Sequence, residues 1–174
     1  MLEFITENQG IFGAVFGTVA TLITTHLLKS VGRVKVELLD IKLNYTKFDN
    51  RIGTSEPAQG ILDAEEVKIN FNIKCYNSSE VPRILDNLEV ICYSDSKKPL
   101  FTGVLSDTGT HKSNGYFVRY DELFFINIPP KEGVLKSTHI IFKSKDDKKL
   151  NDIKSIKLKY KDKRIKNKRI VNYS

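Results

Sequence analysis

EVKINFNIKCYN, residues 66–77, alternates without a break: Val67, Ile69, Phe71, Ile73 and Cys75 fall on one side, and Lys68, Asn70, Asn72 and Lys74 on the other. A period of two is the pattern of a strand with one face in a core and one in water, so this stretch predicts a half-buried β-strand. Upstream, RVKVELLDIKLNYTKF repeats the theme with Val34, Val36 and Leu38, then with Ile41, Leu43 and Tyr45. The change of phase at Leu38-Leu39-Asp40 predicts a bulge or bend, because one extra residue sends every later side chain to the other face.

Downstream, NSSEVPR makes a connection and ILDNLEVICYS supplies a strand around Leu88, Val90 and Cys92. PLFTGVL, GYFVRY, ELFFINI, THIIFKS and SIKLKYK follow, each set off by turn-forming residues, while NRIGTSEPAQGILDA (residues 50–64) is rich in Gly, Pro and Ser and reads as a loop. About eight short strands at this spacing, with no amphipathic helix, predict a mainly β protein. The expected fold is an antiparallel β-sandwich, with a small β-barrel as the alternative.

FNIKCYNSSEVPRILDNLEVICYS resembles the Asn-Ser turn and following strand of immunoglobulin-like adhesion and accessory domains. The resemblance implies an immunoglobulin-like sandwich and no activity. The chain departs from true immunoglobulin domains in having no Trp, and Cys75 and Cys92 stand closer together than that framework places its pair. Both cysteines fall in apolar strands, either as buried thiols or as a bridge between strands.

GIFGAVFGTVATLITTHLLK, near the start, carries no charge from residue 11 to residue 28. As a helix those positions rise roughly 27 Å, about the thickness of a bilayer's hydrocarbon core. A secretory signal peptide would begin with basic residues, whereas MLEFITENQ carries two glutamates; an in-plane helix would need a charged face. A core helix apolar around its whole circumference would need protein on every side, so the expectation is a transmembrane helix. Gly13, Gly17, Thr21 and Thr25 form a stripe of small residues that would let two such helices pack as a homodimer, and His26 belongs at the interface. The expected layout is a tail (1–10), a span (11–28), a hinge (29–32) and a sandwich domain (33–174).

Of the 174 residues, 28 are basic and 21 acidic; all the basic ones and 19 of the acidic ones follow Leu28, so that part carries +9. Lys29, Arg33, Lys35, Lys42 and Lys47 directly follow the span and none precedes it, which predicts an external N-terminus and a cytoplasmic domain. A positive domain behind an apolar segment implies an anionic neighbour, and the membrane's head groups are the first candidate.

KSIKLKYKDKRIKNKRIV, residues 154–171, holds nine basic residues and the single Asp162. Ile156, Leu158 and Tyr160 alternate with Lys157, Lys159 and Lys161, and a turn at Asp162-Lys163 leads to a second basic run through Arg164, Lys166, Lys168 and Arg169. Two roles are expected: lysines on an edge strand that discourage pairing with other sheets, and contact with anionic lipid by these residues together with Lys29 and Arg33. Nucleic acid is disfavoured as a partner, since only Tyr160 and Tyr173 interleave with the basic side chains.

Chemistry is sparse. Asp107-Thr108-Gly109-Thr110 has the form of the aspartic-protease signature, which would demand a dimer to supply the second Asp; Ser106 interrupts the apolar lead-in, so a turn is expected instead. Residues 109–113 imitate the end of a phosphate loop, but His111 stands where the Gly belongs and a strand follows where a helix should. Histidines 26, 111 and 139 are scattered and match no metal spacing. No cofactor, metal or catalytic residue is expected. The chain reads as a non-enzymatic binding or accessory module at the inner membrane face, with an unidentified protein partner. A charge-poor tail, one span and a Lys- and Asn-rich sandwich together resemble small membrane proteins of low-GC bacteria and their prophages, some of which block infection by related phages; that resemblance implies phage exclusion or immunity as the alternative.

Overall fold

The structure, a computed structural model, describes residues 9–49, 54–58, 63–95, 98–115, 118–143, 153–162 and 165–173. Helix α1 (Gln9–Ser30) is followed by strands β1 (Val34–Asp49), β2 (Thr54–Pro57), β3 (Glu66–Asn77), β4 (Arg83–Tyr93), β5 (Pro99–Val104) and β6 (Ser106–Asp107). A 3-10 turn (Thr108–Thr110) leads to β7 (Lys112–Ser113), β8 (Val118–Arg119), β9 (Phe125–Ile128), β10 (Gly133–Lys143), β11 (Ser155–Asp162) and β12 (Ile165–Tyr173).

The long strands form two antiparallel sheets, ordered β2-β1-β3-β10-β6 and β12-β11-β4-β5, with β9 also paired to β4. Each sheet keeps its own edges, so this is the expected sandwich rather than a closed barrel. β3 lies at the centre of the first sheet and its Val67, Ile69, Phe71, Ile73 and Cys75 are buried, as the alternation demands. They meet Leu85, Leu88, Val90 and Cys92 of β4, with Ile126, Ile128, Ile156 and Leu158 beside them. Each such aliphatic side chain contributes about 1.5–3 kcal/mol on leaving water, and nothing from α1 belongs to this core.

Two bulges set which residues reach it. In β1, Leu39 lies opposite Asn72 and Lys42 opposite Asn70, so Asp40 and Ile41 together face Phe71. Asp40 takes a left-handed conformation (φ 56°), and its Oδ2 accepts a 2.9 Å hydrogen bond from Asn72 Nδ2. In β4, Asn87 (φ 52°) and Leu88 together face Tyr160. The inward set there passes from Arg83 and Leu85 to Leu88, Val90 and Cys92.

Three expectations change. The 50–64 segment is not wholly loop, because Thr54–Pro57 pairs with Thr46 to Asp49 as a short edge strand. Twelve strands are present among the described residues rather than about eight; three of them, β6, β7 and β8, are only two residues long. And β11 is no edge strand: β4 pairs it on one side and β12 on the other. Its lysines therefore cannot guard a free edge.

Candidate functional site

The end of the sandwich where α1 arrives is built from polar residues that the core cannot use. The chain leaves the helix through Val31, whose N–H donates to the carbonyls of Leu27 and Leu28, and then passes Gly32. Gly32 has φ +146°, and a Cβ there would lie 2.5 Å from the backbone nitrogen of Ser79, so no other residue fits without moving the β3–β4 connection. That connection grips the helix end directly. The Glu80 N–H donates to the Lys29 carbonyl, the Ser78 N–H to the Arg33 carbonyl, and the Ser78 hydroxyl accepts from the Arg33 N–H at 2.8 Å.

Behind these contacts lies a buried network. The Asn77 side-chain amide donates to the carbonyls of Val81 (2.8 Å) and Pro129 (3.0 Å), and its Oδ1 accepts from the Ser79 N–H (3.0 Å) and hydroxyl (2.6 Å). Arg83 extends from β4 beneath it, with Nε donating to Ser79 Oγ (3.3 Å), Nη2 to the Gly32 carbonyl (3.2 Å), and Nη1 3.8 Å from Asp162 Oδ2. Asn77, Ser79 and Arg83 are buried and hydrogen-bonded, as buried polar groups have to be, and the equally buried Asp162 meets Arg83 as an ion pair. The residues 29–32, expected as a hinge, are thus tied to the sandwich at several points.

α1 itself stands clear: none of the residues 10–29 is buried, and Phe16 is 71% and Leu22 65% exposed. The stripe of Gly13, Gly17, Thr21 and Thr25 is open, with nothing within 4 Å of a Cβ placed on either glycine. Thr21 Oγ1 donates to the Gly17 carbonyl at 2.8 Å, satisfying its hydroxyl within the helix.

The basic C-terminal region is less free than its sequence implies. Lys159 Nζ is 2.6 Å from Glu89 Oε2, Lys157 Nζ sits 4.5 Å above the Tyr93 ring, and Lys161 lies opposite Asp86; all three lysines are half-buried. Lys166, Lys168 and Arg169 lie on β12, of which the backbone alone is described, and Lys163 and Arg164 fall outside the described residues. Lys29 and Arg33 are exposed at the helix end.

Asp107 is employed structurally. Its Oδ1 accepts from the Gly109 N–H at 2.9 Å, capping the 3-10 turn, and its Oδ2 is 2.9 Å from Lys136 Nζ. Both carboxylate oxygens are thus engaged within the chain, one by the turn and one by Lys136. Asp107 lines a cleft of about 410 Å³ between the sheets, together with Lys136, Glu122, Leu123 and the exposed rings of Phe124 and Phe125. Nearby, buried His139 forms a T-shaped pair with the Tyr120 ring (centroids 4.4 Å apart), with Thr108 Oγ1 3.4 Å from Nδ1; burial and then the charge of Lys68 hold its pKa below the ordinary value. Cys75 and Cys92 are free buried thiols on opposite sheets, each pushed up to about 12 by burial.

A family model described as the YopI Ig-like domain matches residues 32–173. The chain is 29% identical over 161 residues to a protein of Bacillus subtilis (strain 168) described as SPbeta prophage-derived uncharacterized protein YopI, covering 92% of this chain and 90% of that one. Among solved structures, an uncharacterized β-sandwich protein from Clostridium difficile 630 aligns at 15% identity over 82% of this chain and 86% of its own, with a TM-score of 0.39. A putative ApaA protein from Bordetella pertussis aligns at 10% identity over 82% and 89%, with a TM-score of 0.36.

Proposed function

The chain belongs to the YopI Ig-like domain family, and from that premise we propose that it is a membrane-anchored, non-enzymatic binding module, held by α1 with its sandwich at the inner face of the membrane. The observation that carries this reading is the helix Gly10–Lys29, long and apolar enough to cross a membrane and without a buried residue, attached to a domain whose core is complete without it. Leaving side chains such as Ile11, Phe16, Leu22 and Ile23 in water forfeits about 1.5–3 kcal/mol each, and a bilayer recovers it. The basic residues that follow from Lys29 onward favour retention of the domain on the cytoplasmic side. Anionic head groups are its lipid partner, and the Gly13–Gly17 stripe is the face through which two copies would pack.

Carbonate extraction of expressing cells, with reporters at both termini and an intact mass of the purified protein, tests the anchor. Retention in the membrane fraction, an internal C-terminal reporter and a mass that includes residues 1–30 are expected. Release by carbonate, or loss of the first thirty residues, ends this reading.

A second reading is favoured by the prophage-derived relative: the module acts at the host membrane to exclude related phages. Expression in a sensitive host should lower phage plating by orders of magnitude. Unchanged plating across a panel of related phages removes it.

A further inference from the structure

The contacts at the helix end bear on how the domain sits, if the anchoring reading above holds. β3 ends and β4 begins at the 78–82 connection, β9 ends and β10 begins at 129–132, and β11 ends at Asp162, so these points share one end of the sandwich. The registers say the same, with Arg83 opposite Ile128, Leu85 opposite Asp162 and Asn77 opposite Val34. The opposite end, around Tyr93 and Lys98, lies the length of β4 away, roughly 30 Å at about 3.3 Å per residue.

We infer that the sandwich stands end-on against the bilayer, with residues 31–33, 78–82 and 129–132 against anionic head groups, because the Glu80–Lys29 bond, with Gly32 seated on Ser79 and held by Arg83, fastens this end of it to the end of α1. A span that ends near Leu28 brings Lys29 to the head-group level, and the 78–82 connection is one hydrogen bond from the Lys29 carbonyl. The 129–132 turn is one further away, its Lys131 N–H donating to the Ser79 carbonyl. Swinging the sandwich relative to α1 would break those bonds, unseat Gly32 from the Ser79 backbone and expose the Arg83 guanidinium's partners.

The surface suits such a neighbour. Lys29, Arg33 and Lys131 are exposed there, with Val31 67% exposed and the rings of Pro82 and Pro130 at the surface. Glu80 and Glu132 are exposed in the same place, so the excess is one positive charge and the tether, rather than charge, dominates the pose. Lys157 and Lys159 of β11 point from a sheet face that rises away from the membrane.

The test uses the full chain in phosphatidylcholine–phosphatidylglycerol vesicles containing a lipid with a nitroxide on its head group. One fluorophore is attached at Pro130→Cys and, in a separate protein, at Lys98→Cys; the native thiols are buried and stay unlabelled. Quenching several-fold stronger at position 130 than at 98 is expected. Equal quenching, or stronger quenching at 98, overturns the pose. A four-residue Gly-Ser insertion between Val31 and Gly32 leaves the sandwich core untouched and should abolish the contrast; a contrast that survives it overturns the fastening. Flotation in a density gradient keeps the two claims apart, because protein that fails to float refutes the anchor, whereas protein that floats without contrast refutes only the pose.

Discussion

Arg83 and Asp162 face each other from adjacent strands of one sheet, Nη1 to Oδ2 at 3.8 Å, with 5% and 1% of their side chains exposed. A pair so thoroughly removed from water gives back in attraction only part of what desolvation costs, yet neither member can be left alone. Arg83→Met should therefore lower unfolding stability by about 3–5 kcal/mol, and Asp162→Leu on that background should restore part of the loss. Urea denaturation midpoints decide it, and a single variant indistinguishable from wild type would show the pair to be idle.

His139 supplies a pH signature. Its folded-state pKa is lowered by burial and by Lys68, so below the ordinary value near 6.5 the unfolded chain binds a proton that the folded chain resists. Stability is then full above that value, falls as the pH drops, and levels off below the folded pKa. His139→Gln should flatten this stretch of the profile, and thermal melts between pH 7.5 and 5 measure it.

The thiols give a kinetic expectation. Cys75 and Cys92 are fully buried and raised to about 12, so thiolate is scarce near neutrality and no reagent reaches it. At pH 8 a disulfide reagent should label neither within the time in which it labels both in denaturant. Fast native labelling of one would place it on a mobile element.

Asp107 separates a cap from an ion pair. Asp107→Asn keeps an oxygen for the Gly109 N–H while losing the charge beside Lys136; Asp107→Ala loses both. The alanine variant should be less stable than the asparagine one by about 1 kcal/mol, the usual worth of a cap. Identical melting temperatures for the two would mean that the turn needs no cap.

What the sequence exposes and what it hides follow from locality. The alternation in residues 66–77 and the adjacent Leu38 and Leu39 are local signals, and both β3 and the β1 bulge follow from them. Thr54–Pro57 has no such pattern and is a strand only because β1 extends past its bulge to pair with it. The lysines of β11 read identically whether that strand is inner or outer; β12 decides, and pairing is a tertiary fact. The helix-end network hides because Asn77, Ser78 and Ser79 look like an ordinary turn. Arg83 was the available signal, since it shares the inward parity of Leu85 and an arginine pointing into a core must have an anchor there.

The kinks in β1 and β4 carry an evolutionary corollary. On either side of Asp40–Ile41, odd and even positions exchange their meaning, so a mutational tolerance map of residues 34–49 should invert midway: charges accepted at 35 and 37 and refused at 36 and 38, then accepted at 42 and 44 and refused at 41 and 43. A lineage that lost one residue at that point would turn half a strand inside out, and lengthening or shortening of this domain is consequently channelled to the connections between strands.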